Sequence, residues 1–99
     1  KWLAERKVVH RDIKIENVIY NESKNIFILT DLDDALSFPI RESKNIMPRG
    51  TSGYTNEEIS RHYINWYENN TPLPQNMDIY LKNDMFAFGV CLFYLFEMK

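Results

Sequence analysis

The sequence predicts an α+β fold, and three observations carry that expectation. Two short β-rich runs, Val18-Ile19-Tyr20 and Ile26-Phe27-Ile28-Leu29, flank Asn21-Glu22-Ser23-Lys24-Asn25, which has hairpin-turn composition. Glu57 to Tyr67 carries apolar or aromatic residues at 59, 63, 66 and 67, a helical spacing. Met85 to Met98 is almost wholly apolar, broken only by Gly89 and Glu97, and reads as a buried helix. Strands first and helices after, with irregular stretches between them, point away from a repeating βαβ unit.

The elements follow in order. Trp2 to Arg6 reads as the last turns of a helix and Val8-Val9 as a short extended stretch. His10 to Asn17 is polar and reads as a loop, followed by the hairpin. Asp31 to Asp34 is an acidic cluster directly after the second strand. Ser37 to Tyr54, with Pro39, Pro48, Gly50 and Gly53, reads as a long loop, and long loops in compact domains are usually functional or disordered. After the helix at 57–67, Glu68 to Asn76 reads as a second loop, and Asp78 to Leu81 leads into the last helix. Asn83 or Asp84 is the expected cap of that helix, because a short side-chain acceptor satisfies free N–H groups.

Bulk properties bound what such a chain does. Ninety-nine residues make one domain at most, with a modest core. A composition of 44% hydrophobic, 14% aromatic and 26% charged residues is globular rather than disordered. A net charge of −2 offers no basic patch for nucleic acid. The single cysteine, Cys91, excludes an internal disulfide, and KWLAERK at the start is too polar for a signal peptide, so an intracellular setting, cytoplasmic or nuclear, is expected. The 14-residue apolar run falls short of the ~20 residues that span a bilayer, so no membrane span is expected. The chain does not begin with Met, and its apolar helix needs covering. It is therefore expected to be part of a longer protein whose other segments pack on that helix, in preference to cover from another chain.

The strongest local signal is His10-Arg11-Asp12-Ile13-Lys14-Ile15-Glu16-Asn17. Any one of these residues alone is more often part of a solvated loop. Together they can bring a carboxylate, a cation and a carbonyl oxygen to one small volume within one turn of loop. The octet resembles the H-R-D-x-K-x-x-N catalytic loop of eukaryotic serine/threonine protein kinases, matching it at five positions. The resemblance implies Asp12 as the carboxylate that meets the attacking hydroxyl, Lys14 as the cation beside the migrating phosphoryl group, and Asn17 as a Mg²⁺ ligand. It leaves Arg11 free to grip a phosphate or carboxylate of the activation segment, and gives His10 a structural role.

Three further stretches extend the resemblance in family order. Thr30-Asp31-Leu32-Asp33 resembles D-F-G, which implies Asp31 as the residue that holds Mg²⁺ against the ATP phosphates. Asp33 departs from the Gly, which permits torsions closed to most residues. Gly50 to Ile59, GTSGYTNEEI, resembles the end of an activation segment. Thr51 matches the Thr that bonds to the catalytic Asp and Lys, Glu58 stands at the A-P-E Glu, and Asn56 and Glu57 replace Ala and Pro. Asn83-Asp84-Met85-Phe86 resembles the start of the buried F helix, whose Asp anchors the catalytic-loop backbone, so Asp84 takes that role. The stretch from Glu58 to Asp84 is longer than in many kinases, and the surplus near Trp66 to Tyr80 reads as an inserted loop.

The resemblance thus covers residues 1–99 as a partial kinase domain, a large-lobe piece with a catalytic loop at 10–17, an activation segment at 31–58 and a buried helix at about 83–98. It implies ATP and Mg²⁺ as cofactors and a protein as substrate. A small lobe with its Gly-rich loop and strand Lys, and the later large-lobe helices, are not found in these residues, so the chain alone is not expected to bind ATP tightly or transfer phosphate. Control by phosphorylation between Asp33 and Thr51 would fall on Ser37 or Ser43. Glu16 is either a contact for a basic substrate residue or a solvated acid. Two other readings remain open: a non-catalytic pseudokinase or truncated kinase acting as a binding module, motivated by Asp33, Asn56 and Glu57, and a small-molecule kinase of related fold, against which Lys14 and GTSGY count.

Overall fold

A computed structural model describes residues 2–40 and 46–97. Ser43 lies outside the described residues, as does Met98 at the end of the expected apolar run. The element order is α1 (Trp2–Glu5), β1 (Val8–Val9), a 3₁₀ turn at Ile15–Asn17, β2 (Val18–Asn21), β3 (Ile26–Leu29), β4 (Leu36–Ser37), α2 (Glu57–Asn69) and α3 (Met77–Glu97). The α+β class expected from the sequence is the class observed.

Two small antiparallel ladders position everything else. β2 and β3 form the expected hairpin, in the register Val18↔Leu29 to Asn21↔Ile26. Its turn uses Asn25 at φ 54°, a left-handed torsion that Asn tolerates better than most residues. β1 pairs with β4, Val8 opposite Ser37 and Val9 opposite Leu36. The sequence reading placed Ser37 in a loop. A two-residue strand offers no alternation to read, and its partner lies far away in sequence.

The core gathers Val9, Ile46, Ile59, Leu73 and Tyr80, flanked by Phe38, Tyr63, Trp66 and Leu81 among others. Full burial of each large apolar side chain contributes roughly 1.5–3 kcal/mol. Tyr80 is almost wholly buried, and its hydroxyl donates to the Pro74 carbonyl, the partner a buried phenol needs. Burial pushes that phenol up to about 12. Leu73 and the Pro74 carbonyl turn the 70–76 loop inward. The expected insertion at 66–80 is therefore shorter than anticipated: α2 runs on to Asn69, Asn70 closes it in a left-handed torsion (φ 55°), and α3 begins at Met77.

The start of α3 corrects the sequence reading. Asn83 and Asp84 are not its cap. They sit inside the helix, buried, while Asn76 supplies the cap: its Oδ1 accepts from Asp78 N at 2.9 Å and its carbonyl from Ile79 N at 3.3 Å. Both residue types suit caps, so composition alone does not choose among 76, 83 and 84. Nor is α3 covered on every side. One stripe is buried, formed by Tyr80, Asn83, Asp84, Ala87 and Cys91, whereas Met85, Phe88, Phe93 and Phe96 stand more than half exposed. By length and composition the 21-residue helix could cross a bilayer, but its buried stripe carries Asn83 and Asp84 into the polar loops, as any core helix would.

α2 shows what the two departures near its start achieve. Asn56 is its N-cap, with Oδ1 accepting from Ile59 N at 2.8 Å, and Glu57 occupies the first helical position. A Pro at that position is pre-organised for a helix, while an acid there is favoured by the helix dipole, so either residue serves. Asn56→Ala is expected to lower stability by about 1 kcal/mol, through loss of the cap, in denaturant titration of the protein. Glu57→Pro is expected to change it by less than half as much.

Candidate functional site

The loop from His10 to Asn17 is fixed from below by α3. Asp84 accepts from two consecutive backbone amides, His10 N to Oδ2 at 2.7 Å and Arg11 N to Oδ1 at 2.9 Å. This is the anchoring contact expected of Asp84. Burial pushes its carboxyl up from the ordinary range, and the two amide donors pull it partly back. Arg11 takes φ 74°, a region L residues seldom enter, and the doubly bonded carboxylate holds it there.

His10 is fully buried and links the loop to the hairpin. Its Nδ1 accepts from Asp12 N at 3.0 Å, so Nε2 carries the proton and donates to the Thr30 carbonyl at 2.9 Å. Thr30 in turn donates twice to the Asn17 carbonyl, from its N at 2.7 Å and from Oγ1 at 3.1 Å. The sequence reading quoted Thr30 only as a neighbour of Asp31 and gave it no role. A hydroxyl residue opposite Asn17, one step beyond the Val18↔Leu29 pair, is the signal that would have found it.

Asp12 stands at the centre. Its Oδ1 accepts from Thr51 Oγ1 at 2.7 Å, and the Lys14 Nζ lies 3.8 Å from its Oδ2. Its backbone carbonyl accepts from Asn17 Nδ2 at 2.8 Å, which leaves the side-chain Oδ1 of Asn17, not its backbone oxygen, as the end of that amide available to a cation. Asp12, Lys14, Asn17 and Thr51 are thus brought together, although Thr51 lies 39 positions along the chain from Asp12.

Asp31 follows Thr30 on the same side of the hairpin and is exposed, with φ 65°. Its Oδ1 accepts from Asp33 N at 3.2 Å. The left-handed torsion therefore falls on Asp31, and Asp33 has no positive φ. The replacement of Gly by Asp at 33 carries no backbone strain of the kind that Gly relieves. The Asn17 Oδ1 and the Asp31 carboxylate are hard oxygen donors of the sort Mg²⁺ prefers, and among the described residues no cluster of three His, Cys, Asp or Glu competes with them.

Arg11 corrects an expectation. Its guanidinium is not free: Nε donates to the Asp34 carbonyl at 2.8 Å and Nη1 to the Met47 carbonyl at 2.7 Å. It clamps the two ends of the 34–47 stretch through main-chain atoms. Asp34 gives its carboxylate to Arg49 instead, Nε to Oδ1 at 3.1 Å. Of the remaining expected residues, Glu58 is half-buried in the first turn of α2, and no ion pair holds it among the described residues. Ser37 is exposed in β4, and Glu16 is exposed beside Asn17. Asn83, once read only as a cap, accepts from Asn56 N at 2.7 Å and so ties α2 to α3.

A model of the protein tyrosine and serine/threonine kinase family matches residues 1–99. The chain is 28% identical over 100 residues to the "Putative serine/threonine-protein kinase R436" of Acanthamoeba polyphaga mimivirus, covering 99% of this chain and 30% of that protein. It is 34% identical over 99 residues to the "Receptor protein kinase-like protein At4g34220" of Arabidopsis thaliana, covering 99% of this chain and 11% of that protein. The chain thus spans less than a third of either relative. No solved structure matches it.

Asp84→Asn leaves one of the two loop amides facing an NH₂ group, and a loss of about 1–3 kcal/mol is expected in denaturant titration. The pH dependence gives a second reading. Because the folded carboxyl titrates above its ordinary value of 3.8, the native state binds the extra proton, and the Asp84 contribution to stability falls as pH rises from 3.8 to the raised value. The stability gap between wild type and Asp84→Asn is therefore expected to narrow over that window and to be flat above it.

Proposed function

The chain belongs to the protein tyrosine and serine/threonine kinase family, and from that premise we propose that it forms the catalytic segment of an enzyme that moves a phosphoryl group from Mg²⁺-ATP to serine or threonine of a protein. The observation that carries the reading is the convergence on Asp12 of three side chains from two motifs: Thr51, from the later stretch, on its carboxylate, with Lys14 beside it and Asn17 on its carbonyl from its own loop.

Each group then has a task. The Asp12 carboxylate receives the proton of the attacking hydroxyl, and Thr51 fixes the carboxylate's orientation by occupying Oδ1. That leaves Oδ2 for the substrate. Lys14, close to the same oxygen, is placed to offset charge on the phosphoryl group in flight. Asn17 and Asp31 are the residues that would hold Mg²⁺, which when bound neutralises charge on the ATP phosphates. His10, Thr30 and Asp84 touch none of the reacting atoms and act by positioning those that do. The presence of Lys14 and Thr51 in this arrangement supports serine and threonine as acceptors over tyrosine. The nucleotide site of such an enzyme also uses a Gly-rich loop and a strand lysine, neither of which is in residues 1–99.

The test is phosphate transfer by the protein from Mg²⁺-ATP to a generic protein acceptor, followed by phosphoamino-acid analysis. Transfer to serine or threonine is expected, with a fall of roughly 10²–10⁴-fold in Asp12→Asn. Asp31→Asn is expected to fall as far and to regain part of its rate at raised Mg²⁺. A well-folded protein that transfers nothing would make the chain part of a non-catalytic binding module instead.

A further inference from the structure

Asp12 and Thr51 bring together two segments that are far apart in sequence, and Gly50 shows how close those segments run. A Cβ at Gly50 would stand 3.3 Å from the Arg11 carbonyl oxygen and 3.1 Å from Thr55 Cγ2. Its φ of 130° is also one that glycine alone adopts readily. The stretch from Arg49 to Thr51 thus lies against the backbone of Arg11, one residue before Asp12.

Tyr63 stands beside this crossing. It belongs to α2, flanks the core and lines one groove with Arg49, Gly50 and Thr51. Its hydroxyl oxygen accepts from the Arg49 backbone N–H and from the Arg11 guanidinium. Arg49 comes two residues before Thr51, and Arg11 one residue before Asp12. One oxygen therefore holds both sides of the Asp12–Thr51 pair just upstream of each. The charge of Arg11 is balanced by the Asp84 carboxylate, which acts on Tyr63 as well. Burial raises the phenol above its ordinary value of 10.0, so Tyr63 keeps its proton near neutral pH and serves as a neutral acceptor. The apolar spacing of the helix accounts for the Tyr63 ring and leaves its hydroxyl unexplained.

We propose that Tyr63 is a positioning residue: through the Arg49 N–H and the Arg11 guanidinium, its hydroxyl sets the approach of Thr51 to the Asp12 carboxylate. Thr51 occupies one oxygen of that carboxylate and so decides where the other one points. Tyr63 itself touches none of the reacting atoms. Its effect on rate rests on the catalytic reading above, whereas its effect on the Asp12–Thr51 pair does not.

The experiment is Tyr63→Phe in the protein, which removes the oxygen and keeps the ring in the core. Hydrogen exchange at the Arg49 amide is expected to speed about tenfold, with the amides of Ile59 and Tyr80 unchanged. The unfolding equilibrium constant gives a second reading through a double-mutant cycle. Tyr63→Phe is expected to raise it about tenfold in the wild type and less than threefold in Thr51→Ala, because the two side chains act on one pair. A side chain that merely fills the core gives the same factor in both backgrounds. In the transfer assay, Tyr63→Phe is expected to lower kcat about tenfold and to leave KM for ATP and for the protein acceptor within twofold. Unchanged exchange at Arg49, equal factors in the two backgrounds, or an unchanged kcat in an active protein overturns the inference. A wild-type protein that transfers nothing removes the catalytic reading, and the exchange and the cycle then still decide whether Tyr63 positions Thr51.

Discussion

The site depends on one buried carboxylate. Asp84 lies inside a helix, 74 residues from His10, yet its two oxygens take the amides of His10 and Arg11. Burying a carboxylate is costly unless donors surround it, and two amide donors supply what water no longer does. In return the loop gains what its own sequence does not provide. Arg11 is held in a left-handed torsion, and with that torsion set, Asp12 turns away from the core toward Thr51 while Arg11 points into the activation segment. Loops without such an anchor sample many torsions at a cost of about 1–2 kcal/mol per residue to order them. Here the order is imposed by a rigid helix.

From that anchor the order spreads through polar atoms. His10 passes it to Thr30, Thr30 to the Asn17 carbonyl, and the Asn17 amide back to the Asp12 carbonyl. The circuit joins the loop to the end of the hairpin, across β2 and β3. None of the described buried side-chain nitrogen or oxygen atoms lacks a partner. A network satisfied throughout is stiff, and a partly satisfied one would be the first place to fail.

Much of this was legible in the sequence, though unevenly. The loop at 10–17, the hairpin and the helix at 57 could be placed from residue types and spacing, because each is local, and the anchoring role of Asp84 from the resemblance of its stretch to a family motif. What escaped were the choices made by tertiary structure. Asn76, Asn83 and Asp84 are all chemically suited to cap a helix, and only the loops that pack on α3 decide that the last two do other work. The concern over Asp33 also came from local rules, since a family glycine suggests a special torsion. In this chain the torsion belongs to Asp31, and the backbone at 33 accommodates an Asp without a left-handed torsion. β4 and the Arg11 clamp have no local signal at all, since one is two residues long and the other ends on backbone carbonyls.

The Arg11 clamp bears on how the two ends of the 34–47 stretch are held. A guanidinium bonded to main-chain oxygens is indifferent to the side chains at 34 and 47, so the segment's ends stay fixed while its surface residues vary. Each such charge-assisted bond contributes about 1.5–3 kcal/mol, and both are already made without any phosphate. A phosphate arriving at Ser37 would have to compete with them, or bind the donors of the fork that they leave unused. The two ends of this segment, at Asp34 and Met47, are therefore held by the chain's own backbone, and a modification near them would adjust an existing arrangement rather than create one. Asp34 makes the same point from the other side: its carbonyl serves Arg11 and its carboxylate serves Arg49, so one residue joins the two guanidinium groups.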